Sequence, residues 1–376
     1  MDPITDVDVH AGLECGKGSR EAWCPYKRDS TPTGYGQSAN RGPVFRIREV
    51  QLRAGAPSLK MFRGTGSWLM RTRFWRLLLT AGIIAGCGGC GGLGIGNSPG
   101  SKLVSQLGHV FLVVEENHSY SEVIGNPAMP YLNSLVPQGG LAKQYFANAH
   151  PSIPNYFMLT TGQPITTDDN FSGTVSDDNV VRELVAAGKT WKSYAESLPA
   201  VGYTGPDSPP YLKHHNPFAY FSDVLSSPAQ ASNLVPIGQL SADLTNNQVP
   251  NYSFIVPNAR DDAHDCPDGG SDCTDSQKLN AADQWLKTNI GGVLNSSAFQ
   301  TDGLLIIVFD ESDLSDFNHG GGHVAMVLLS PKAKVGFQWT TFYQHESTLR
   351  TTLEALGIAS LPGAAAGATD MGEFFK

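Results

Sequence analysis

The apolar positions of this chain fall into short runs that end abruptly in acids. Residues 304–309 read Leu-Leu-Ile-Ile-Val-Phe and stop at Asp310-Glu311. An uninterrupted, β-branched run of this length predicts a strand buried on both faces, as in a parallel sheet covered by helices. Residues 109–114 have the same form and lead into Glu115-Glu116-Asn117. Residues 190–194, 252–258 and 324–330 predict further strands. Between them lie helical stretches: 127–135, 155–161 closed by Gly162, 178–187, 276–288 through Leu279, Ala282, Trp285 and Leu286, and 345–356. This alternation predicts an α/β fold, a three-layer sandwich around a largely parallel central sheet. In such sheets ligands gather at the carboxyl ends of the strands.

The polar residues at those ends suggest the chemistry. Adjacent carboxylates repel each other unless a cation or a set of donors lies between them. Oxygen donors delivered from two strand ends predict a divalent metal; Mg²⁺, Ca²⁺ and Mn²⁺ suit them, and Zn²⁺ or Fe is compatible. The competing reading makes Glu115, Glu116, Asn117 and Asp310-Glu311 caps of the helices that follow. Ser152, within His150-Pro151-Ser152-Ile153-Pro154-Asn155-Tyr156, stands just before a predicted helix. It is a nucleophile if a metal lowers its pKa and free helix N–H groups receive the phosphoryl group, and a plain N-cap otherwise. Asn155 would add a side-chain donor to a phosphoryl oxygen.

Charge and cysteine content narrow the setting. The 376 residues carry a net charge of −9 with only 16% charged residues, which leaves no electrostatic case for a nucleic-acid partner. No internal repeat points to a solenoid or propeller. Met70-Arg71-Thr72-Arg73-Phe74-Trp75-Arg76 followed by the apolar stretch to Cys87 has the form of an export signal. Ile84-Ala85-Gly86-Cys87 resembles a bacterial lipobox, in which Cys87 would carry the lipid; a plain cleaved signal or an uncleaved anchor are the alternatives. The expected organisation is a leader over 1–69 that is disordered or precedes a true start at Met61 or Met70, a signal over 70–87, a tether over 88–108 and a catalytic domain over 109–376. The implied location is periplasmic or at the cell surface, anchored to the membrane by lipid. Cys266 and Cys273 are expected to form a disulfide, with a zinc pair involving His264 as the competitor.

The ordered set Glu116-Asn117, Pro151-Ser152-Ile153-Pro154-Asn155, Lys213-His214-His215-Asn216-Pro217, Pro257-Asn258 with Asp262-Ala263-His264-Asp265, and Phe309-Asp310-Glu311 resembles the bacterial phosphoesterase family. That family includes secreted acid phosphatases, phosphatidylinositol-phosphate phosphatases and phospholipases C and belongs to the alkaline-phosphatase-like superfamily. The resemblance runs from about Val110 to Leu356. It implies an alkaline-phosphatase-like fold with Glu116, Asn117, Asp310 and Glu311 as metal ligands and Ser152 as nucleophile. His215 and His264 would contact the phosphate or protonate the leaving group, and Asn155 and Lys213 would bind substrate. Asp262 and His345 are weaker candidates, and His319 and His323 have no place in the pattern.

The implied activity is metal-dependent hydrolysis of phosphate monoesters through a phosphoserine. Its partner would be a phosphorylated small molecule or a lipid head group. A phospholipase C-type phosphodiesterase would use the same centre. The alternative of another class is a surface lipoprotein that binds metal or phosphate without turnover.

Overall fold

The computed structural model describes residues 104–376. The expected leader, the signal with its lipobox and most of the tether lie outside the described residues. Eight strands form one sheet in the order β4-β3-β5-β1-β6-β7-β2-β8. They are β1 (His109–Glu115), β2 (Gly140–Ala142), β3 (Trp191–Ala195), β4 (Leu234–Pro236), β5 (Tyr252–Val256), β6 (Gly303–Phe309), β7 (Met326–Leu329) and β8 (Phe337–Trp339). Only β7 runs against the others, pairing antiparallel with β6 and β2. The apolar runs did foretell the centre: β5, β1 and β6 are parallel neighbours, and every residue of β5 and β6 is buried.

β2, β4 and β8 were not foreseen. Each has three residues, too short to display a period, and each is held by pairing along the sheet rather than by its own pattern. The helices fall near their predicted places. Pro130–Leu135, Val180–Ala186 and His345–Ala355 lie within the expected spans. Asp275–Leu294 runs past its expected end, and its start is fixed by a capping box between Thr274 and Gln277.

The helix Ser152–Thr161 begins three residues before its expected start. Its first turn tolerates Pro154 because no intrahelical N–H bond is needed there. It ends at Gly162, in the left-handed region at φ +67°, where a Cβ would collide with the Pro362 carbonyl. All ten of its residues are buried, with the helix packed on His345–Ala355 and on the turns Lys213–His215 and Pro217–Tyr220, so each large side chain such as Phe157 contributes roughly 1.5–3 kcal/mol. Helix and sheet together hold Ser152 at the carboxyl edge of the parallel strands.

Candidate active site

Strand register brings the two acidic pairs together. Glu115 pairs with Phe309, so Glu116-Asn117 and Asp310-Glu311 leave the sheet side by side. The Asp310 N–H donates to the Glu115 carbonyl at 2.9 Å, and the Asn117 N–H to Asp310 Oδ1 at 3.3 Å. From the end of β5, Asp262 joins them through its carbonyl, which accepts the Glu116 N–H at 2.8 Å. Side-chain alternation decides between Glu115 and Glu116. Glu116 meets Ser152, whereas Glu115 feels Asp262 and then Asp261, Glu196 and Asp283. Neither Glu115 carboxyl oxygen has a partner, and burial pushes its pKa well up.

Ser152 is the first helical residue and caps nothing. Its hydroxyl faces two carboxylates, Glu116 Oε2 at 2.9 Å and Glu311 Oε1 at 3.1 Å, which share its one proton. One turn along the helix, Tyr156 donates to Glu116 Oε1 at 2.6 Å. His150 binds Glu311 Oε2 through Nδ1 and the Asp316 carbonyl through Nε2. Burial alone would lower the His150 pKa, but Glu311 and the carbonyl hold it above its ordinary value.

The chain before Ser152 is clamped directly to the β6–β7 loop. Ala147 N–H donates to the Gly322 carbonyl and Gly321 N–H to the Ala147 carbonyl. Gly320 and Gly322 stand at φ +110° and +83°, and a Cβ would strike the Asn148 carbonyl at Gly320 and the Ser312 hydroxyl at Gly322.

Around this core, several buried polar atoms have no hydrogen-bond partner: Asn117 Oδ1, Asp262 Oδ2, Asp310 Oδ2 and both ring nitrogens of His215. His215 Nε2 lies 3.3 Å from Glu116 Oε1 and Nδ1 3.3 Å from Asp262 Oδ2, close enough for attraction but not aligned for hydrogen bonds. Burial, then mutual repulsion, raises the pKa of Glu116, Asp262 and Asp310 well above the carboxylate range. Burial also drives His215 well below its ordinary value, so it is neutral. Neutral imidazole, an amide oxygen and crowded carboxylates are donors lacking a cation. Donor atoms of Glu116, His215 and His264 also lie within 4.8 Å of one another. The set fits a divalent metal.

A cleft of about 510 Å³ opens onto Ser152, walled by Asn117, Asp169, His264, Lys278, Glu311 and Leu314 among others. His264 is half-buried in this wall, and its Nδ1 engages Asp265 at 2.8 Å. The Ile153 N–H, at the helix start, donates to Asp169 Oδ1 at 3.3 Å. Cys266 and Cys273, just beyond His264, are joined as a disulfide, which removes the zinc-pair alternative.

Three of the expected residues are engaged away from the cleft wall. The four bonding positions of the Asn155 side chain are used: Oδ1 accepts from Asn148 and Ala149 N–H, and Nδ2 donates to the Ala149 and Pro151 carbonyls. It folds the approach to Ser152 and has nothing left for a substrate. His215 stands behind Glu116, stacked on Tyr156 at 5.1 Å, and does not line the cleft. Lys213 lies over the Tyr220 ring at 4.2 Å in a neighbouring cavity of about 400 Å³, which shares only Asp169 with the cleft.

His345 proves to be support. Its Nε2–H donates to the Asp310 carbonyl at 2.6 Å, and its Nδ1 receives the Tyr145 hydroxyl at 3.0 Å. His319 and His323 pack on Phe146, away from the carboxylates. Sequence reasoning missed Tyr156, His150 and Asp169. Tyr156 could have been found four residues after Ser152 on the same helical face; Asp169 gave no signal.

The sequence matches the profile of the phosphoesterase family over residues 126–359. The chain belongs to that family. This phosphoesterase, a phosphoric ester hydrolase, is 33% identical over 251 residues to the phosphatidylinositol-3-phosphatase of Mycobacterium tuberculosis, covering 66% of the chain and 78% of that protein. It is 28% identical over 260 residues to an acid phosphatase of Aspergillus fumigatus, covering 67% of the chain and 55% of that protein. It therefore spans about half the length of that fungal relative. Among solved structures, the lipoteichoic acid synthase LtaP of Listeria monocytogenes superposes with a TM-score of 0.53 at 13% identity, over 73% of the phosphoesterase and 77% of LtaP. That likeness concerns the fold alone, an α/β architecture around a largely parallel sheet.

Proposed function

We propose that the protein hydrolyses phosphate monoesters, phosphoinositides among them, through a phosphoserine on Ser152 and with a divalent metal. The observation that carries this reading is the Ser152 hydroxyl held between Glu116 and Glu311 beside unmatched Asn117 and Asp310 oxygens. Asn117 and Asp310, with Glu116, Asp262 and His215 adjoining, would hold the metal. When bound, it supplies charge for the phosphoryl oxygens and lowers the pKa of the serine hydroxyl.

The chain's own residues do the rest. Glu311, braced by His150, receives the Ser152 proton as Oγ forms its bond to phosphorus. The leaving oxygen departs in line on the opposite side, toward the cleft wall where His264 supplies a proton. His264 then takes a proton from the water that cleaves the phosphoserine, and Glu311 returns its proton to the departing Ser152 Oγ. Tyr156 keeps Glu116 in place from behind, with His215 stacked on its ring. The phosphoinositide assignment rests on the activity named for the mycobacterial relative.

The test is turnover of p-nitrophenyl phosphate with acid-quenched mass analysis of the Ser152 peptide. Hydrolysis should vanish in Ser152→Ala and after chelation, and the quenched peptide should carry one phosphoryl group. Undiminished turnover by Ser152→Ala would sink the mechanism. We also propose export through residues 70–87 with lipid on Cys87, which puts the domain on the outer side of the inner membrane. Palmitate labelling of the expressed chain, lost in Cys87→Ala, is the measurement for it.

A further inference from the structure

The loop joining Asp310-Glu311 to β7 carries an apolar feature that the chemistry leaves unused. Leu314 is 72% exposed and Phe317 63%. Leu314 forms part of the wall of the cleft that contains Ser152, and Phe317 rests edge-on against His150 at 4.8 Å. Phe342, 44% exposed, packs on His319 of the same loop at 4.7 Å. The other exposed large apolar residues lie off the cleft wall: Val185, Val201 and Leu225 come from separate segments, and Val335 and Phe337 lie near β8, where the Lys334 ammonium sits over Phe337 at 4.7 Å. Scattered apolar side chains are ordinary, whereas two exposed ones three residues apart on a loop that walls a cleft mark an interaction surface.

We propose that this rim docks on a phospholipid bilayer whose phosphorylated head group enters the cleft, an inference that rests on reading Ser152 as the phosphoester centre. Position selects a bilayer over a protein. Leu314 belongs to the cleft wall, so a protein seated on it would cover the mouth against substrate, while a bilayer presents the substrate in the same plane. The loop's charges select how it docks. Residues 312–323 contain no lysine or arginine. Asp313 and Asp316 are tied to the loop's own backbone, accepting the N–H groups of Ser315, Asn318 and His323. Attraction is therefore apolar insertion of Leu314 and Phe317 rather than pairing with anionic head groups, and it should survive raised salt.

The experiment uses the full chain with phosphatidylcholine vesicles whose acyl chains are brominated. Phe317→Trp adds an indole whose fluorescence, taken as the difference from the unsubstituted chain, should shift to the blue and be quenched. Val335→Trp, at a site 69% exposed outside the loop, should give no quenching. In parallel, kcat/KM for a vesicle-borne phosphomonoester is divided by that for its short-chain soluble form. The ratio should fall about tenfold in the Leu314→Ser, Phe317→Ser double variant and stay level in Val335→Ser. Absent quenching, an unchanged ratio, or an oligomer that buries the Phe317→Trp indole without vesicles would overturn the proposal. Quenching by a chain that hydrolyses neither form supports the docking while refuting the catalytic reading.

Discussion

Two groups of buried acids lie in this molecule and are treated in opposite ways. Asp243, in the helix Gly238–Thr245, is paired with Lys192 and accepts from Tyr194 at 2.7 Å and Gln239 at 2.8 Å. Burial pushes its pKa up, but these partners outweigh it and hold the carboxyl below the ordinary range. Glu116, Asp262 and Asp310 are equally enclosed, yet the cluster leaves oxygens unmatched and repels itself. The fold satisfies a buried acid where the acid serves the fold. Where it does not, the missing partner is expected from outside.

The largest expected effect on this contrast is chemical. Ser152→Ala should lower kcat/KM on a phosphomonoester by more than about a thousandfold with the melting temperature little changed; a parallel loss of folded structure would leave the nucleophile unassigned. Next, Asp243→Asn strands the Lys192 ammonium against a half-matched amide. Denaturant unfolding should register a loss of about 3 kcal/mol, while activity per folded molecule persists. Chelation should then strip stability from the site alone. Restoring metal to about a hundred times its dissociation constant should return about 2.7 kcal/mol, measured as a shift in the urea midpoint.

A smaller effect comes from His345, whose burial lowers its pKa to about 4. The unfolded imidazole, near 6.5, takes its proton first, so stability present at neutral pH is lost as pH falls from about 6.5 toward 4. Between pH 7 and pH 4.5 this amounts to about 2 kcal/mol. Urea curves of the native chain and His345→Gln should converge by that amount on acidification; a constant gap would refute the assignment. The smallest effect has the opposite sign to Asp243→Asn. Asp310→Asn should bind no metal by elemental analysis, yet in chelator it should be about 1 kcal/mol more stable than the native chain, because an acid whose charged form is disfavoured by burial and by its acidic neighbours is gone.

The contrast also explains what could be read in advance. The placement of Glu116, Asn117, Asp310 and Glu311 was visible because abrupt changes from apolar to acidic residues mark strand ends, and strand ends converge in a parallel sheet; that of Ser152 was visible from the helix beginning beside it. The roles of Asn155 and His215 were not visible. Asn155 closes a loop on its own neighbours, and His215 turns behind Glu116 to stack on Tyr156; each depends on a side-chain direction that spacing does not encode. Asp243 was equally hidden, since its match with Lys192 and Tyr194 joins a helix to β3 across the packed interface.

The clamp between residues 147–150 and Gly320–Gly322 has a consequence for how this chemistry can vary. No side chain separates the segment carrying the nucleophile from the loop carrying Glu311; peptide lies against peptide, bound N–H to carbonyl. The gap between serine and carboxylate is thus set by the thickness of a backbone, a dimension with no alphabet of substitutions. Point changes can redecorate the cleft's outer wall, but resizing its reactive centre demands a loop of different length.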